Sequence, residues 1–76
     1  MPHIFDLNTR FDSRKSFYGK AKVVEDGNTI TLLSYNQEAA RIVNGKLEKL
    51  YAWNYSATTR RHCWEFVKQF GVEDQI

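Results

Sequence analysis

The chain has a single cysteine, Cys63, among its 76 residues. A disulfide within the chain is therefore impossible. A thiolate zinc cluster is excluded as well, because a structural site wants roughly four Cys or His ligands and His3 and His62 do not make up the number. Glycine is sparse too, with four residues that never adjoin, so no glycine-rich loop is present to cradle a phosphate. No apolar run approaches the ~18 residues of a membrane span. The opening stretch, Met1-Pro2-His3-Ile4-Phe5-Asp6, lacks the basic head and apolar core of a secretory signal. The acidic residues are scattered, and no spacing suggests a pair of catalytic carboxylates. The net charge is only +2, which argues against an acidic DNA mimic and permits nucleic-acid binding without demanding it. A chain this short buries only about 60% of its unfolded surface. With no covalent or metal staple at hand, a second copy or a larger partner is the expected extra support. One reduced cysteine fits a cytoplasmic location.

What is present reads as one α+β domain spanning 1–76: an arm over 1–16, a sheet over 17–55 and a helix over 56–71. In the arm, Phe5-Asp6-Leu7-Asn8 suggests a short helical turn. Phe5 and Phe11 are expected either to dock on the core edge or to reach a partner. Residues 17–24 alternate in polarity, and Asp26-Gly27 is a favoured two-residue hairpin turn. Placing the turn there sets Val23 opposite Ile30, Ala21 opposite Leu32, Gly19 opposite Ser34 and Tyr18 opposite Tyr35. Asn44-Gly45 is a stronger turn signal and puts Arg41 opposite Glu48 and Ile42 opposite Leu47. Between these hairpins, a two-residue turn would pair Ile30 with Val43, whereas a three-residue loop would pair it with Ile42. The second keeps the apolar residues on one face and is preferred. The last strand is extended through Tyr51, Trp53 and Tyr55. The helix begins at a hydroxyl cap, Ser56 or Thr58, carries Cys63, Phe66, Val67 and Phe70 on one face, and stops at Gly71, with the last five residues frayed. The expected architecture is a four-stranded antiparallel meander packed by one C-terminal helix, with an N-terminal arm.

No catalytic residues are identified. Cys63 and His62 are helix neighbours pointing about 100° apart, so they form no Cys–His pair, and Cys63 lies on the apolar stripe. Thr58 and His62 can touch, but no third group orients them. No metal site and no cofactor are expected. Arg60, Arg61 and His62 crowd the positive end of the helix, where each cation opposes the dipole by about 0.3–1 kcal/mol. An acidic or phosphate partner would explain this, and so would arginine stems covering the sheet edge with their heads in water. Trp53, Tyr55 and Trp64 complete the candidate partner surface. An alternative surface is the open sheet face. There Tyr18, Lys20, Lys22 and Tyr35, beside Thr31 and Leu33, would offer rings and cations to single-stranded nucleic acid. Lysines also guard sheet edges, and a tyrosine pair is ordinary cross-strand packing.

The runs Ser34-Tyr35-Asn36, Ala39 to Ile42, Tyr55-Ser56-x-Thr58-Thr59-x-x-His62, Glu65-Phe66 and Gln69-x-Gly71 resemble a family of short proteins of unknown function. Its members are encoded by bacteriophages and prophages of Gram-positive bacteria. The resemblance covers residues 10–71 and implies a phage accessory protein working in the host cytoplasm. It supplies no activity and no site residues. Helix positions 63 and 64, Cys63-Trp64 here, are typically aliphatic in that family.

Size, the missing catalytic constellation and the phage-like pattern together lead to an expected function. The chain is read as a non-enzymatic protein that binds a bacterial host protein or nucleoprotein complex, with inhibition of a CRISPR–Cas nuclease as an anti-defence subtype. The rival readings are a single-strand nucleic-acid-binding protein and a structural homodimer of phage assembly. No membrane association is expected.

Overall fold

The computed structural model describes residues 2–76. Its sheet has five antiparallel strands, each paired with its sequence neighbours: β1 (His3–Asp6), β2 (Ala21–Asp26), β3 (Thr29–Ser34), β4 (Gln37–Val43) and β5 (Lys46–Lys49). One helix, α1 (Ala57–Gln69), lies across β3 and β4, and a short 3₁₀ turn, Glu73–Gln75, follows it. The α+β class is as expected, with one strand more. Residues 3–6 form no helical turn. They pair with β2, placing Phe5 opposite Val23 and Asp6 opposite Lys22, and a 2.8 Å Lys22–Asp6 ion pair closes the strand. The rest of the arm is anchored by the buried Leu7 and Phe17, whereas Phe11 is largely exposed rather than docked.

The Asn44-Gly45 turn fixes the β4–β5 register as expected, with Ile42 opposite Leu47 and Arg41 opposite Glu48. Arg41 Nη2 lies 2.8 Å from the Glu48 carboxylate. The β2–β3 hairpin turns one residue later than expected, at Gly27-Asn28, so that Val23 pairs with Leu32 and Ala21 with Ser34. Gly27 has φ +61 and Asn28 does not share the positive sign, the pattern of a II′ turn with glycine first. The change moves each partner by two residues, and side chains alternate with a period of two, so the core face survives intact. Ile30 does pair with Ile42, but by a different route from a three-residue loop. Tyr35-Asn36 makes a two-residue turn with both φ positive, and an irregularity between Leu32 and Leu33 inserts Ala39 as the extra residue. This bulge buries both Ala39 and Ala40.

Residues 17–20 are not strand. Lys20 N–H bonds to the Phe17 carbonyl at 2.9 Å, and Tyr18 and Gly19 both have positive φ, so the chain turns sharply before entering β2. The last strand likewise ends at Lys49, and Tyr51, Trp53 and Tyr55 lie in the turns leading to α1.

Ser56 caps the helix by accepting a 3.1 Å bond from Thr59 N–H. Cys63, Phe66 and Val67 are wholly buried against Val23, Leu32 and Ala40, with Phe70 packed at the margin. At the far end, Gly71 has φ +71, while Val72 N–H reaches the Val67 carbonyl at 2.9 Å and Gly71 N–H the Lys68 carbonyl at 3.3 Å. This is the paired stop of a Schellman motif. The residues beyond are not frayed. Val72 is buried, and the Gln75 side chain accepts from Leu47 N–H and donates to the Gly45 carbonyl, both at 2.8 Å.

Candidate functional site

At one end of the sheet the 17–20 turn, the β3–β4 turn and the β5–α1 connection converge, because β2 begins there, β3 and β5 end there, and α1 starts there. All four tyrosines of the chain stand on these turns, and all are exposed: Tyr18 77%, Tyr35 47%, Tyr51 85% and Tyr55 76%. Tyr35, Tyr51 and Tyr55 wall a cleft of about 280 Å³ whose other lining residues are Ser34, Gln37, Ala52, Ser56 and Thr59. Among the described residues, no charged side chain lines it. Its floor is a run of hydroxyls. Ser56 Oγ lies 3.1 Å from Thr59 Oγ1, which lies 3.0 Å from Ser34 Oγ, which in turn lies 2.7 Å from His62 Nδ1.

His62 is thus not on the surface with the arginines. It is fully buried, with Phe17 edge-on at 4.5 Å and the Tyr35 ring at 5.6 Å. It bonds Ser34, not Thr58, and its Nε2 has no hydrogen-bond partner among the described residues. Such an orphan costs about 1–3 kcal/mol. Burial holds the imidazole below its ordinary value, with the Arg14 cation adding to that and Asp12 opposing it. A serine–imidazole pair at 2.7 Å has the spacing of a nucleophile and base, but Ser34 is itself buried and no carboxylate among the described residues bonds Nε2. Here it braces the cleft floor. The sequence held a signal for it: Ser34 is a lone hydroxyl on the apolar face of β3, and such a group needs a buried partner.

Because the folded protein keeps His62 neutral, the unfolded chain binds more protons below the ordinary value of about 6.5. Stability should be complete above that value and should fall as pH drops from it toward the lowered folded value, by at most about 1.4 kcal/mol per pH unit. Urea midpoints at pH 8, 6 and 5 test this, and His62→Gln should flatten the dependence. An equally steep profile in the variant would assign it elsewhere.

The second surface lies along the outer side of α1. Ala57, Arg60, Arg61 and Trp64, with Asp12 from the arm, line a trough of about 390 Å³. A shallower hollow of about 50 Å³, lined by Phe11, Asp12, Arg61, Trp64, Glu65 and Lys68, continues it. Arg61 Nη1 bonds Asp12 Oδ1 at 2.9 Å, whereas Arg60 is exposed and no ion pair engages it among the described residues. Glu65 lines the hollow. Its buried carboxylate accepts from the backbone N–H of Phe11 and of Asp12, each at 2.9 Å, and from Gln69 Nε2 at 2.6 Å. Gln69 Nε2 also reaches the Asn8 carbonyl. Burial alone would raise the Glu65 carboxyl, but bonds from Gln69, Phe11, Arg10 and Asp12 outweigh it and hold the group below its ordinary value.

Of the residues singled out in the sequence, Arg60, Arg61 and Trp64 meet in this trough and Tyr55 belongs to the cleft. Trp53 is half-buried against the core, with Lys49 Nζ 5.7 Å above its ring. The four-residue platform on the open sheet face does not form. Tyr18 and Tyr35 sit in turns, Lys20 ends a turn, and Lys22 is paired with Asp6. Sequence reasoning missed Ser34 and Tyr51, whereas Phe11, read as docked or reaching a partner, is exposed. Burial pushes the Cys63 thiol up, partly offset by backbone bonds, as befits a core residue. No helix among the described residues is long and apolar enough to cross a membrane.

With this geometry in view, the chain belongs to a family of unknown function, DUF8033, whose pattern matches residues 5–75. No curated protein and no solved structure matches it.

Proposed function

We propose that this chain is a non-enzymatic, phage-type protein that binds a bacterial host protein through its tyrosine-rich end, with inhibition of a defence nuclease such as a CRISPR–Cas effector as the specific role. The observation that carries the reading is the gathering of all four tyrosines on the turns at one end of the sheet. Tyrosine supplies large, rigid, amphipathic contact area at low entropic cost, and it is enriched at protein-binding hot spots. The neutral, hydroxyl-rich cleft between Tyr35, Tyr51 and Tyr55 suits the neutral anchor of a protein partner better than a phosphate backbone. A standard interface needs about 800 Å² per partner, roughly one sixth of the 5002 Å² this chain exposes. The phage assignment and the host-cytoplasm setting rest on the Tyr55-to-His62 pattern.

Tyr51→Ser with Tyr55→Ser should weaken partner binding by about 30-fold or more while shifting stability by about 0.5 kcal/mol or less, since both side chains are exposed. The measurement pairs phage plating on defended and undefended strains with melting of the purified variant. Wild-type chain should raise plating on a defended strain and the variant should not. Identical plating with and without the wild-type chain across defended strains would sink the anti-defence role. A variant as active as wild type would sink the tyrosine end.

A further inference from the structure

We propose a second binding site, separate from the tyrosine-rich end: the trough between the arm and α1 holds single-stranded nucleic acid. The first reason is the distribution of charge. Arg10, Arg14 and Lys15 in the arm and Arg60, Arg61 and Lys68 on the helix are six of the eleven Lys and Arg residues, and all six are exposed. Only two acids share these segments, so six cations less two carboxylates leave an excess of four positive charges there. Glu65 is buried beneath three hydrogen-bond donors. Asp12, its side chain only 9% exposed, accepts from Arg61 and from Arg14 N–H. The remaining acids lie on the sheet and beyond the helix, so a chain of small net charge presents one strongly positive side.

The second reason is the pairing of charge with exposed rings. Phe11 is 59% and Trp64 40% exposed. Both line the hollow that continues the trough, and Lys68 Nζ lies 6.0 Å from the Trp64 ring centroid. Cations that follow a backbone beside rings on which bases stack are the two parts of a single-strand site. From Ala57 to Lys68 the trough follows about 16 Å of helix, long enough for a few nucleotides. An acidic protein surface would satisfy the charges and leave the two rings unused. The crowding of arginines at the start of α1, where no acid occupies the first turn, then has a use: the cations and the helix dipole act on the same phosphates.

The test is a fluorescence-polarisation titration of the full chain with a labelled single-stranded 20-mer, the matching duplex and a poly-glutamate peptide, at 50 and 200 mM salt. Single strands should bind best, and four neutralised phosphates would weaken binding about 50-fold between the two salts. Arg60→Glu with Lys68→Glu should lower affinity at least tenfold and flatten the salt slope. Trp64→Ala should lower it about tenfold with the slope unchanged, which a purely electrostatic surface would not show. These positions avoid the Arg61–Asp12 pair, and thermal melting checks that each variant stays folded. Tyr51→Ser with Tyr55→Ser should leave oligonucleotide affinity intact, so the two sites fail separately. No binding at 50 mM salt, equal affinity for poly-glutamate, or indifference to Trp64→Ala would each overturn the assignment.

Discussion

Phe66→Ala is expected to destabilise the fold by about 3–5 kcal/mol, the range for truncating a buried aromatic. Phe66 is the largest side chain fully enclosed in the core. It touches the sheet below and Phe70 beside it, with ring centroids 5.0 Å apart. Single domains hold roughly 0.05–0.15 kcal/mol per residue, so a chain of 76 residues has about 4–11 kcal/mol to lose. The variant should therefore be largely unfolded or lose most of its urea resistance. The neighbours cannot close the gap, because α1 is held at both ends: Ser56 caps one, and the Val72 and Gly71 bonds stop the other. Denaturant titration followed by circular dichroism is the check. A loss below 1 kcal/mol would mean that the helix presents another face to the sheet.

Glu65→Ala should cost about 3 kcal/mol and release the arm. The carboxylate is the shared acceptor for Phe11 N–H, Asp12 N–H and the Gln69 amide. Bonds to a charged group contribute about 1.5–3 kcal/mol, and leaving partly buried donors unmatched adds to the loss. Glu65→Gln tests the charge separately. It keeps one oxygen but turns a second donor toward donors, so part of the penalty remains. Because the folded value lies below the ordinary 4.5, the contribution is complete above that value and disappears as pH falls through the lower folded one. Trypsin gives the readout, since Arg10, Arg14 and Lys15 sit in the segment that would come loose. Cleavage there should quicken in Glu65→Ala and, with an acid-active protease, in the wild type as pH falls through the lowered Glu65 value. Unaltered cleavage would show that the arm is held by Leu7 and Phe17 alone.

Much of this arrangement was legible in the sequence, and the misreadings have physical causes. Asn44-Gly45 dictated its register outright. Asp26-Gly27-Asn28 offered two overlapping turns one residue apart, and nothing short of the neighbouring strand chose between them. β1 was invisible because four residues with no alternation carry no periodic signal, and its place is fixed only by pairing with β2. The helix stripe was traced through Cys63, Phe66, Val67 and Phe70, but the buried arc also takes in Thr59, His62 and Glu65. Polar side chains at core positions look like surface until their partners, Ser34 and the Phe11 and Asp12 amides, are brought up by the fold. For the same reason the tyrosine cluster was half seen. The alternation in sequence puts Tyr18 and Tyr35 on a sheet face, whereas positive φ places each on a turn beside residues distant in sequence.

The amide of Gln75 takes the place that a peptide group of a sixth strand would occupy: it gives to the Gly45 carbonyl and receives from Leu47 N–H. Gln75 thereby covers the edge of β5 at Leu47, and the strand's lysines discourage another chain from lying alongside. Two copies that merged their sheets would meet less obstruction at the opposite border, through residues 3–6, where the exposed Ile4 offers an apolar foothold. Such a pairing would join the molecules about a twofold axis and leave the Gln75 side of each copy facing outward.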